Sequence, residues 1–425
     1  MINLDISNVW TCVSLPELLG SERELFDAHS RLRNNQPDGP DFLGWLGLPD
    51  SITARLIHGI RRRAEQICAD CDVLVVCGSG SAFEAARAAV DCYCGSARNL
   101  LSRPQIYFTG ETLSGRQWVE LGRLLEDKEY ALHMISPDGS SLAANVTARG
   151  LRWMMERKYG PRTKERISVA TNVGTSLHKM GQEEGYELFP MPRQMGGSDS
   201  GLTAAALIPM AAAGIDPLSV LEGAAESYQS LDVRSFDNPA WLYAGARHLL
   251  PKKGRSRELL CFFDHSLAGL GRWWQRYVWQ HEGRQGGGIC PETVLLPGEL
   301  DAMEDMACAM GSGVFETLVH FDPISKQIPV EMDWKDYDGL GFLSGRNLDY
   351  VESQTMAAMA ETHNFEGVPV LDVQAGELTA QSLGELLYFF ELSSALTAQT
   401  NGVDPFAPGS RKTLDTALEN MGKPQ

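Results

Sequence analysis

The side chains best able to do chemistry gather at two short turns. The first lies within Asp72-Val-Leu-Val-Val-Cys-Gly-Ser-Gly-Ser-Ala-Phe-Glu-Ala-Ala-Arg87. The unbroken apolar run from Val73 to Cys77 suits a parallel strand buried on both faces. Ala82 to Val90 reads as an alanine-rich helix, and Gly78-Ser-Gly-Ser81 turns tightly between them. A strand feeding a small turn that opens a helix leaves backbone N–H groups at the positive helix end, an anion site. Ser79 and Ser81, on either side of Gly80, add hydroxyl donors. The second turn, Ser136-Pro-Asp-Gly-Ser-Ser141, repeats this order of strand end, small polar residues and helix start. There Ser136, Ser140 and Ser141 can grip an anion. A plainer reading stands beside each: close packing at the first turn, an ordinary N-cap at the second. Two such turns at strand C-termini can converge on one ligand, because open α/β sheets bind there.

The elements that must position these turns alternate in type. Strands are expected at 73–77, 105–109, 130–135 and 166–171, with helices at 82–93, 114–125 and 142–159 between them. Such alternation reads as βαβ units and a parallel sheet covered on both faces. A second βα series starts at 258–263, followed by a long helix at 267–281, strands at 314–321 and 368–372, and a late helix at 382–400. The expected organisation is an N-terminal helical segment over 1–45, α/β domains over 46–225 and 226–400, and a C-terminal tail over 401–425.

Bulk properties narrow the partners. A net charge of −18 over 425 residues argues against nucleic acid and anionic membrane. An anionic small molecule stays possible where helix termini and a few Arg or Lys make local positive potential. The start lacks a basic segment and an apolar segment, so no signal peptide is expected. No apolar run is long enough to span a bilayer. Nine cysteines, an odd count in a large chain, fit a reducing cytoplasm. Cys68-Ala-Asp-Cys71 and Cys92-Tyr-Cys94 have no second ligand pair at suitable spacing, so free thiols and no metal are expected.

Taken in order, several stretches resemble the glucose-6-phosphate isomerase family over nearly the whole chain. They are the 78–81 turn, Phe108-Thr-Gly-Glu111, the 135–141 turn, Gly196-Gly197 through Asp216, Trp279-Gln-His-Glu-Gly-Arg-Gln-Gly-Gly-Gly288, Leu387-Tyr-Phe-Phe-Glu391 and Gly402-Val-Asp-Pro-Phe406 with Pro408-Gly409 and Gly422-Lys-Pro424. The resemblance implies an α/β protein of two sugar-isomerase-type (SIS) domains, each a parallel sheet flanked by helices, in a cytoplasmic homodimer. It implies a phosphorylated sugar as ligand and no cofactor. The implied reaction interconverts glucose 6-phosphate and fructose 6-phosphate through an enediol, with a carboxylate base, a ring-opening His and Lys, and an Arg that stabilises the enediolate.

At the positions where the family places those roles, this chain has other residues. The Arg after the paired glycines is Ser198, the base Glu is Gln280, the His is Asp301 and the Lys is Leu414. Pro137 and Asp138 replace a Lys and a small polar residue in the second turn, which sets a negative charge near an expected phosphate. Glu282, His281 and Lys412 are the nearest replacement candidates for catalysis. Two residues along a helix rotate a side chain by about 200°, so Glu282 reaches the position of Gln280 only if the backbone unwinds. The plainer readings are a structural carboxylate, a packed imidazole and a solvated Lys. Three functions stay open: an isomerase with shifted residues, a sugar-phosphate-binding relative without turnover, and a remodelled site for another acidic small molecule.

Overall fold

The computed structural model describes residues 2–34, 46–48, 53–191, 201–283, 288–310, 313–323, 326–405 and 412–422. Among these residues ten strands form two five-stranded sheets: β1 (Asn3–Asp5), β2 (Val73–Gly78), β3 (Gln105–Thr109), β4 (Tyr130–Ile135), β5 (Ile167–Asn172), β6 (Glu187–Met191), β7 (Arg257–Phe262), β8 (Cys290–Leu295), β9 (Val314–His320) and β10 (Val370–Gln374). The first sheet has the order β3-β2-β4-β5-β6 and is parallel throughout. Every residue of β2 and β4 is buried, as expected of central strands covered on both faces.

The second sheet has the order β1-β10-β9-β7-β8. Its four long strands are parallel and repeat the path of the first sheet, with the second strand of the series set outside the first. The N-terminal segment carries the helix expected after Pro16 as two pieces and adds a strand. Besides the helices Leu15–Gly20 and Glu22–Asn34, it supplies β1, which pairs antiparallel with β10.

Ala380–Thr400 is a helix buried almost from end to end. It packs on the helices Pro217–Ser230, Pro239–Leu249 and Ala268–His281 and on Glu22–Asn34. No helix among the described residues is long and apolar enough to cross a membrane. The described cysteines are all free, and burial alone pushes the Cys77 thiol up to about 12.

Candidate functional site

In the first sheet the chain leaves β2 for β3 on one side, then crosses back to place β4 on the other. The crevice where the order reverses lies beyond the ends of β2 and β4, and the two serine turns follow those strands. The turns therefore share the carboxyl end of the sheet.

Their hydrogen bonding differs. After β2, Gly80 sits at φ +108° and is the N-cap of the helix Ser81–Cys94, so the cap position carries no side chain to accept from the first turn. After β4, the turn satisfies itself. Ser141 caps Leu142–Tyr159 by accepting from the Ala144 N–H at 3.4 Å. The Ser140 N–H donates to the Asp138 carboxylate at 2.9 Å, and the Ser140 hydroxyl donates to its other oxygen. Asp138 thus takes donors that an incoming anion would need. Ser136 is buried, and its N–H donates to the Ala170 carbonyl at 3.1 Å.

The helix Ala268–His281 runs antiparallel to Ser81–Cys94. Gly269 lies so close to Ala88 that a Cβ there would come within 3.0 Å of its Cα. At the opposite end the Ser81 hydroxyl donates to Gln280 Oε1 at 2.8 Å. Gln280, the residue at which the sequence resemblance sets a base, therefore meets the first serine turn as a neutral amide.

One turn back, on the same helix face, Arg276 lies 3.9 Å from Glu111, which follows β3; Arg87 approaches the same carboxylate at 3.6 Å. The Glu111 carboxylate also lies beside Glu84, which is one turn beyond Ser81 and only 2% exposed. Burial first, then the Glu111 carboxylate, raises the Glu84 carboxyl to about 7. Sequence reading passed over this group. Glu84 at three residues from Ser81, Arg276 at four from Gln280 and Glu111 at a strand end were its available signals.

The replacement candidates lie elsewhere. His281 ends its helix buried, with Nδ1–H donating to the Tyr277 carbonyl at 2.6 Å and its ring stacked on Tyr277. Glu282 follows in near-helical backbone, with no unwinding. Its carboxylate is 1% exposed and accepts from Arg247 Nη1 at 2.7 Å. Arg247 Nε donates to Glu258 at 2.7 Å, while the Tyr243 and Thr317 hydroxyls donate to the other Glu258 oxygen. Burial pushes the Glu282 carboxyl up, against the pull of Arg247. Lys412 is exposed at the start of Lys412–Asn420 and has no hydrogen bond or ion pair among the described residues. Leu414 is half-buried in that helix and Asp301 is exposed, while Ser198 lies outside the described residues. Among the described residues no group of three or more His, Cys, Asp or Glu could hold a metal.

No family model matches the chain. A glucose-6-phosphate isomerase of Fusobacterium nucleatum is 32% identical over 429 residues, covering 99% of this chain and 96% of the relative. The chain belongs to the glucose-6-phosphate isomerase family. Another so named, from Symbiobacterium thermophilum, is 35% identical over 408 residues, covering 93% and 90%. The fold agrees with a hypothetical protein of Thermus thermophilus, with TM-score 0.89, 19% identity and full coverage of both chains. It also agrees with a glucose-6-phosphate isomerase of Chlamydia trachomatis, with TM-score 0.76, 15% identity and coverage of 95% and 84%.

Proposed function

We propose that this family member binds fructose 6-phosphate and glucose 6-phosphate with the phosphate at the Ser79-Gly80-Ser81 turn, and interconverts them through an enediol. The observation that carries this reading is the pairing of Ser81 with Gln280. It brings the end of a helix that resembles the family's catalytic helix against the glycine-capped turn at the sheet crevice. The positive end of the helix Ser81–Cys94 favours an anion there, while Asp138 disfavours one at the second turn. Glu282 is assigned to structure, His281 to helix-end packing and Lys412 to the solvated surface. The Ser136, Ser140 and Ser141 turn serves mainly as a cap.

A coupled assay for fructose 6-phosphate conversion tests the reaction, with calorimetric binding of both sugar phosphates alongside. Binding with turnover is expected. Binding without turnover would favour a sugar-phosphate-binding relative, a reading that the amide at Gln280 supports.

The chain is also assigned to the cytoplasm and to a homodimer. Trp334, Tyr337 and Phe342, each 75% or more exposed on the segment before Leu348–Phe365, are apolar side chains that a second copy would cover. Sedimentation at micromolar concentration checks this: a dimer is expected, and a monomer would contradict it.

A further inference from the structure

Glu84 and Glu111 come from different elements and meet beside the glycine-capped turn. The pair is flanked by Arg87 from the same helix as Glu84 and by Arg276 from Ala268–His281. Among the described residues two buried atoms of this group have no hydrogen-bond partner, Glu84 Oε2 and Arg276 Nε. One is an acceptor when ionised and the other a donor. Leaving both unpaired is costly in a folded chain. A ligand hydroxyl or carbonyl oxygen meets both needs: its lone pair accepts from Arg276, and a neighbouring hydroxyl donates to Glu84. Vicinal oxygens of this kind are the reacting end of an open-chain aldose or ketose.

Resting on the sugar-phosphate reading above, we propose that the Glu84–Glu111 carboxyl pair moves the proton in this protein, in place of the residue at Gln280, with Arg276 facing the developing oxyanion. In the ketose-to-aldose direction the ionised pair takes a proton from C1. The C1–H electron pair forms the C1=C2 bond, and the carbonyl π pair moves onto the C2 oxygen as an oxyanion beside Arg276. The C1 hydroxyl proton then passes to the C2 oxyanion, the C1 oxygen pair closes to C1=O, and the C1=C2 pair takes the proton back from the carboxyl pair at C2, so atoms and charge balance without any co-reactant. Proton sharing suits the task, since one carboxyl of such a pair is ionised while the other holds the proton. With Glu84 titrating at about 7, both forms are present at neutral pH. The groups facing it are Glu111, Arg87 and Arg276.

Deuterium wash-in at C1 of fructose 6-phosphate, followed by NMR in D2O, reads this step directly. Calorimetric binding of fructose 6-phosphate is measured on the same samples. The wild type should bind and exchange, with a rate that rises with pH to a plateau above about 7. Glu84→Gln, at a buried position, and Glu111→Gln, at a solvent-facing one, should each slow exchange by about a hundredfold or more. Both should bind within threefold of wild type. Exchange that survives both substitutions, or wild-type binding with no exchange, overturns the proposal and leaves the binding reading standing. A wild type that does not bind overturns that reading and the proposal with it.

Discussion

The Arg247 cluster makes the sharpest division between a structural and a chemical role for Glu282. Arg247 is the cation between two buried carboxylates, Glu258 and Glu282, with both contacts at 2.7 Å. Arg247→Met removes it and strands both. Breaking a buried pair in this way costs about 3–5 kcal/mol. With a urea slope of about 3 kcal/mol per M, the unfolding midpoint should fall by roughly 1–1.7 M. Glu282→Gln is far milder, because its Oε1 still accepts from Arg247 and no charge needs desolvation; about 1 kcal/mol or less is expected. Its C1 exchange rate should stay within about twofold of wild type, whereas loss of a general base costs about 10²–10⁴. The assay is urea unfolding of both variants, with deuterium wash-in on Glu282→Gln. An Arg247→Met protein as stable as wild type would refute the energetic reasoning. A stable Glu282→Gln protein that no longer exchanges would refute the structural assignment.

Asp138→Ala removes a negative charge from the crevice that the two turns share, so inorganic phosphate and fructose 6-phosphate should bind at the first turn about tenfold more tightly by calorimetry, worth about 1.4 kcal/mol; unchanged affinity would contradict a phosphate held in that crevice. Glu84 makes stability depend on pH with a definite sign. Its carboxyl titrates near 4.5 when unfolded and at about 7 when folded, so folding takes up a proton between these values. Stability should therefore fall as pH rises from 4.5 to 7, by about 3 kcal/mol in total, then level off, and Glu84→Gln should flatten that slope in urea titrations. His363 runs to a different limit: although burial opposes its charged form, Glu316 at 2.9 Å raises it. Its contribution is complete below 6.5 and is lost as pH climbs through the raised value, a loss that His363→Gln should abolish.

The central strands were legible because burial on both faces writes an unbroken apolar run. The run at 73–77 became β2, and the 142–159 helix was read to the residue. The strands that escaped reading, β6 and β8, both lie at sheet edges and carry Pro190 and Pro291. An edge tolerates the missing N–H, and its partly exposed faces break the apolar run. β1 was missed for a related reason, since three residues are too few to show alternation. The turns could be read from strand, small residues and helix start in succession. The pairings could not, because spacing says nothing about contacts such as Arg247 with Glu282 or Glu111 with Arg276, which only the packed sheets and helices create.

Calorimetric titration of fructose 6-phosphate into wild type and Ser79→Asp tests the site most directly. The substitution sets a carboxylate on the half-buried turn between β2 and its helix. Wild-type binding that weakens at least tenfold in a folded Ser79→Asp protein is the expected result. Equal binding by both proteins, or none by wild type, would contradict a phosphate site at this turn.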